Sequence, residues 1–284
     1  MEVAETHTDS DPRLLVLADI LCGVDGTKVA YEAVRQAAWL TGPNGHLTLL
    51  AVTAVSGSGT FRTAAIAPVR AQRALATANR MASAMGVTAD MAIDERSPVT
   101  DVLLEHAGAH GLLAIGPPPM PRLAHILVGG TATTVAHVLT ASVLVARRQP
   151  AHTDFGADIV VGSDALDTSS ELVRFATALA LRHGSTLTYL HAIDGAAKRH
   201  PTRIAAQVEY VTQTLGDRAR VRIEPRHAHE LIVATAKLER SSLLIVGSRS
   251  GGGLRAVGSV SERVVHDAPC SVLVMRPEDV AMDA

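Results

Sequence analysis

Aromatic side chains are nearly missing from this 284-residue chain: Phe, Tyr and Trp make 2% of it, with a single Trp. A surface that stacks single-stranded bases on aromatic rings is therefore excluded. An excess charge of either sign is missing too, since 26 Lys and Arg face 28 Asp and Glu for a net charge of −2. That balance offers no basic field to displace counterions from a phosphate backbone, so the sequence predicts no nucleic-acid partner. Only two cysteines occur, Cys22 and Cys270. The count excludes a disulfide scaffold, and neither sits in a CxxC or Cys/His cluster of zinc spacing. Both read as small core residues. No apolar run reaches the roughly 18 residues that cross a bilayer. Met1–Arg13 is polar and acidic, without the apolar stretch of a secretory leader. Together these absences predict a soluble, cytoplasmic protein with no membrane contact.

What is present is aliphatic. Hydrophobic residues make 47% of the chain and charged residues 19%, which excludes disorder as the main theme and allows a core in each of two domains. The chain also repeats itself. LLVLADILCGVDGT (14–27) and ADIVVGSDALDT (157–168) align with Asp25 on Asp164. LTLLAV (47–52) recurs as LTYLHA (187–192), GLLAIG (111–116) as SLLIVG (242–247), and SVLVARR (142–148) as SVLVMRP (271–277). Four apolar runs in the same order make a duplicated domain. The reading is a tail over 1–13, domains over 14–148 and 158–277 with a polar seam at Gln149–Ala157, and a tail over 278–284.

The runs are short, β-branched and unbroken, as strands buried on both faces of a parallel sheet must be. Between them lie stripes at helical spacing. Ala30, Val34, Ala37, Ala38 and Leu40 match Leu172, Phe175, Ala176 and Leu179. Val99, Leu103, Leu104 and Ala107 match Leu231, Val233, Ala234 and Leu238. The fold class is α/β, two tandem Rossmann-like domains, each a five-stranded doubly wound parallel sheet with helices on both faces. Ligands of such sheets sit beyond the carboxyl ends of the strands, where strand order reverses.

An acid ends the first strand of each repeat: Asp25, and Asp164 after Ser163. It either accepts from an adenine amino group or ribose hydroxyl or caps the helix that follows. The fourth strand of the second repeat runs into a glycine-rich stretch with Gly247, Gly251, Gly252, Gly253 and Gly258. Gly258-Ser259-Val260-Ser261 then opens a helix whose free N–H groups and positive dipole end favour an anion. Ser259 and Ser261 add hydroxyls and Arg249 a charge. The loop is neither GxGxxG nor GxxxxGK[ST].

These segments resemble the universal stress protein family in its tandem form. The carriers are GVDGT (23–27), GSD (162–164), GSRSGGGLRAVGSVSERVVHDAPCSVLV (247–274) and the duplication itself, and the resemblance covers residues 14–277. It implies an adenine nucleotide alpha hydrolase-like fold and an adenine nucleotide as ligand, ATP first, with Mg²⁺ as an accompanying ion. In the second repeat the carry-over gives Ser163, Asp164 and the backbone of Ala192 to adenine and ribose. Gly247, Arg249, Ser250, Gly258, Ser259, Val260 and Ser261 go to the phosphates. The family loop has the form G-x2-G-x9-G-[ST], whereas here Ser250 replaces the second Gly and the loop is two residues shorter. In the first repeat the matching positions are Asp25, Val52, Gly116, Gly129, Gly130 and Thr131. There Pro119 replaces the second Gly among Pro117, Pro118 and Pro121, and prolines bring no N–H to a phosphate cradle. The first site reads as degenerate.

Other constellations carry less. His106 and His110 stand four apart, and His227 and His229 cluster, yet no third ligand accompanies either pair, so the histidines read as solvated or capping and no metal is expected. His266 and Asp267 near Ser261 lack a GxSxG elbow, which excludes acyl transfer. Arg62–Arg80 reads as a surface helix beside the cleft. Nothing supplies a general base or a Mg²⁺-binding acid at the glycine loop, so the expectation is no dedicated enzyme, at most slow ATP hydrolysis. Ser142–Arg147 and Ser271–Arg276, as last strands, are expected to pair pseudo-symmetrically, with a homodimer and a protein partner as further expectations. The alternative is a nucleotide-independent dimeric interaction protein with degenerate loops.

Overall fold

The computed structural model describes residues 12–42, 45–53, 66–96, 99–116, 141–149, 154–193, 200–248 and 259–276. Chain contacts separate two units, the first built on Val16–Arg148 and also taking in residues 259–262, the second built on Gln149–Ser248 and residues 263–276.

In the first unit the strands are β1 (Asp19–Gly23), β2 (His46–Val52), β3 (Thr88–Asp94), β4 (Leu112–Ile115) and β5 (Ser142–Val145). Every pairing is parallel and the order is β3-β2-β1-β4-β5. Strand β1 is shorter than its apolar run suggests, because Pro12–Leu17 form a 3-10 turn ahead of it. Helices α1 (Lys28–Thr41) and α2 (Pro68–Ala84) pack together over β1 to β4, and α3 (Val99–Ala107) packs separately on β1 and β2. Proline at the first position of α2 loses no helical bond there.

The second unit repeats the plan with β6 (Asp158–Ser163), β7 (Thr186–Ala192), β8 (Ala219–Glu224), β9 (Leu243–Gly247) and β10 (Ser271–Met275). Their order is β8-β7-β6-β9-β10, again all parallel. Helices α4 (Asp167–His183) and α5 (Pro201–Leu215) pack together over β6 to β9, while α6 (Ala228–Leu238) covers β6 and β7. Helix α7 (Ser259–Asp267) precedes β10. The doubly wound parallel sheet expected for each repeat is present, and order reverses between β1 and β4 and between β6 and β9.

The expected stripes of α1 and α4 are buried throughout. One stripe needs correction: Leu231 and Val233 are buried as expected, but Leu238 is 71% exposed because α6 ends there, and Ile232, Thr235 and Ala236 complete the buried row. Both cysteines are buried and free, and burial pushes the Cys22 thiol up to about 12. The predicted surface helix starts at Pro68 rather than Arg62; residues 62–65 and the helix expected after β4 lie outside the described residues.

Candidate functional site

Parallel strands bring their carboxyl ends to one edge, so register decides what meets there. Gly162 pairs with Val246, which sets Ser163 and Asp164 beside Gly247 at the β6/β9 switch point. Ala192 ends β7 on the other side of β6. In the first unit Cys22 pairs with Ala114, which sets Val24 and Asp25 beside Gly116, with Val52 ending β2. Of the remaining expected site residues, Arg249, Ser250, Gly258, Gly129, Gly130 and Thr131 lie outside the described residues. Ser259, Val260 and Ser261 form the first turn of α7.

Both acids make the same turn. Asp25 accepts from the Thr27 N–H at 2.8 Å and the Thr27 hydroxyl at 2.6 Å, and Thr27 in turn caps α1 through the Ala30 N–H. Asp164 accepts from the Leu166 N–H at 3.0 Å through Oδ1 alone. Its carboxylate is exposed, and Oδ2 remains for an incoming donor. The capping reading therefore goes to Thr27 rather than to either acid. Such a turn needs a left-handed residue after the acid. Gly26 supplies it at φ 78°, whereas Ala165 supplies it at φ 58° despite its Cβ.

The first edge is closed by its own chain. The Val52 carbonyl accepts from the Ile66 N–H at 3.2 Å. A Cβ placed on Gly26 would lie 3.3 Å from Ala74 Cβ and 3.6 Å from Arg70, and one on Gly116 would lie 3.0 Å from the Val29 backbone. At the second edge, among the described residues, the Ala192 carbonyl has no such loop donor and a Cβ on Gly247 would meet Leu172 at 3.6 Å.

Sequence reasoning missed a buried polar cluster beneath the Asp164 turn. The Ser163 hydroxyl donates to Gln207 Oε1 at 2.7 Å and accepts from the Ala165 N–H at 3.0 Å. Tyr189 donates to the same Gln207 oxygen at 3.0 Å, and Gln207 Nε2 donates to Ser170 at 3.0 Å. Arg203 donates to the Ala165 carbonyl at 2.8 Å and pairs with Asp167. His191 bonds the Ser163 carbonyl at 2.9 Å. Ser163 is thus committed inward, not offered to a ligand. Burial pushes the Tyr189 phenol above its ordinary value. The signal was there to be read: Val24, Ala30, Leu49 and Ala74 stand in the first repeat where Ser163, Ser169, Tyr189 and Gln207 stand in the second.

The histidines expected to be solvated or capping mostly face carboxylates. His106 lies 3.0 Å from Asp94, His110 2.9 Å from Asp19, and His229 2.8 Å from Asp267, whose other oxygen meets His266. Hydrogen bonds from His266 and then His229 hold the Asp267 carboxyl below the usual range. Among the described residues no group of His, Cys, Asp or Glu is arranged to hold a metal ion. Among them, too, no helix is long and apolar enough to cross a membrane.

Comparison with known proteins follows the same outline. The family model described as the universal stress protein family matches residues 18–147 and again 157–276. A universal stress protein of Mycolicibacterium smegmatis is 27% identical over 213 residues, 68% of this chain and 70% of its own. A universal stress protein from Archaeoglobus fulgidus superposes with a TM-score of 0.68 at 17% identity, covering 92% of this chain and 96% of that one. A functionally unknown protein from Pseudomonas aeruginosa does so with a TM-score of 0.66 at 18% identity, covering 95% and 96%. At such identities the superpositions establish the fold.

Proposed function

The chain belongs to the universal stress protein family, and from that premise we propose that it binds ATP or a related adenine nucleotide as a regulatory ligand, at the carboxyl edge of its second unit. The observation that carries this is the outward Asp164 carboxylate at the β6/β9 switch point, with one oxygen fixed by Leu166 and the other open. A ribose hydroxyl or adenine amino group would donate to that oxygen, the Ala192 carbonyl would accept from the base, and Gly247 leaves room for close approach. The phosphates would be taken by the stretch from Arg249 to Gly258 and by the first turn of α7, through N–H groups and the helix dipole. Mg²⁺ enters only as the counter-ion those phosphates bring. The first edge serves no nucleotide in this reading, since its loop is proline-rich and its Val52 carbonyl already has a donor. Domain limits of 14–148 and 158–277 go with it.

Calorimetric titration with ATP should show one site per chain. Replacing Asp164 by Ala should weaken it roughly tenfold to a hundredfold, the worth of one charged hydrogen bond. Asp25→Ala should leave affinity unchanged. Two equivalent sites per chain, or equal sensitivity to both acids, would overturn the assignment to the second unit. No heat at millimolar ATP would transfer the case to a nucleotide-independent interaction protein.

A further inference from the structure

A residue with a Cβ at positive φ persists only where its surroundings over-determine it. Ala165 is such a residue, at φ 58° and fully buried. Both of its backbone polar groups are held by side chains: its N–H by the Ser163 hydroxyl, its carbonyl by Arg203. The Ser163 hydroxyl is held from two sides, with Gln207 Oε1 as its nearer acceptor at 2.7 Å and Ser169 Oγ at 3.1 Å. Gln207 is itself fixed, accepting from Tyr189 and donating to Ser170, and it is only 5% exposed. Asp164 lies between two residues held in this way.

We propose that Gln207 and Arg203, one helical turn apart on α5, are positioning residues that hold the Ser163–Leu166 turn in its left-handed form and so aim the Asp164 carboxylate at the ligand. The contrast within the chain supports it. In the first repeat the corresponding turn has Gly26, which adopts φ 78° without help, and the Gln207 and Ser163 positions are Ala74 and Val24, while the Arg203 position keeps an arginine, Arg70, so the contrast singles out Gln207. A hydrogen-bonded hold stands where the alanine is, and an apolar contact where the glycine is. A bland core role would predict no such coupling between the residue at the turn and the residue on the helix.

The proposal rests on the nucleotide reading for what the carboxylate serves; the hold itself is measured without nucleotide. Gln207→Met keeps the volume and removes the bonds. In the full chain, hydrogen exchange at the Ala165 and Leu166 amides should quicken about tenfold, the worth of one hydrogen bond, while amides in the middle of α4 keep their rates. Arg203→Met, at a partly exposed position, should act in the same direction and guards against a folding failure of the first variant. Adding Ala165→Gly to Gln207→Met should return exchange toward the parent, since glycine needs no hold. In titrations the parent's preference for ATP over 2′-deoxy-ATP should shrink in Gln207→Met and reappear in the double variant. Unchanged exchange at the turn, or an equal rise across the whole unit, would overturn the proposal. A parent that binds neither nucleotide overturns the nucleotide reading instead, and the exchange result still decides the hold.

Discussion

The turn after β1 and the turn after β6 follow the same backbone course with different chemistry. Each carries an acid that accepts from the N–H two residues on, and each places a left-handed residue between them. Around the first lie Val24, Ala74 and Leu49, around the second Ser163, Gln207 and Tyr189. Lys28 stands where Asp167 pairs with Arg203. The comparison teaches that one conformation can be reached by removing a side chain or by bonding the backbone from outside. Asp164 beside the second turn is exposed, whereas Asp25 beside the first is half-buried.

The comparison breaks first at its glycines. Gly116→Ala would push a Cβ to 3.0 Å from the Val29 backbone, and such overpacking typically costs about 1–3 kcal/mol. Among the described residues a Cβ on Gly247 meets a flexible Leu172 methyl at 3.6 Å, an ordinary contact, so Gly247→Ala should cost much less. Urea unfolding of the two variants side by side reads the difference; equal losses would mean that the edges are equally crowded.

A smaller effect separates the turns themselves. Gly26→Ala places a Cβ at φ 78° against Ala74 and should destabilise by roughly 1–2 kcal/mol. Ala165→Gly relieves the same conformation and should stabilise by up to about 1 kcal/mol, less what glycine adds to the freedom of the unfolded chain. Thermal melts with opposite shifts support the comparison. Shifts of one sign would refute it.

The smallest effect is acid-dependent and lies at the ends of the third strands. The Arg96 guanidinium, with His106 beside it, holds the Asp94 carboxyl well below the usual carboxylate range against the opposing effect of desolvation. A carboxylate depressed by folding contributes its full stability above the unfolded value of about 4, and loses it as pH falls toward the folded value. Asp94→Asn should therefore cost most near neutrality and progressively less below about pH 4. Arg96 is 54% exposed, so solvent screens the pair and the effect should stay small. The corresponding Glu224 pairs with Arg222 at 2.7 Å. Urea titrations at pH 7 and pH 3 check the sign.

How far the sequence could be read depended on burial. Strands β1, β2 and β4 and their copies have neighbours on both sides, and with the fully buried β5 and β10 they read as unbroken aliphatic runs. The edge strands β3 and β8 escaped because only some of their side chains are covered, with Met91, Ile93, Val221 and Ile223 left exposed. Leu238 was placed in a stripe that its helix did not extend far enough to bury. The Gln207 cluster joins residues 18 to 44 positions apart, separations at which no local spacing rule applies.

Sequence alone determined the duplication, the parallel α/β class and the acids at the strand ends, because repetition, periodicity and turn chemistry are local properties of the chain. Tertiary structure decided which acid stays open. Hydrogen-bond partners and steric room are set by α2 and α5 arriving from elsewhere in the chain: α2 brings Ala74 and Arg70 against Gly26, and α5 brings Gln207 and Arg203 to bond the backbone around Ala165. The same four-residue turn is therefore packed over by one helix and held by hydrogen bonds from the other.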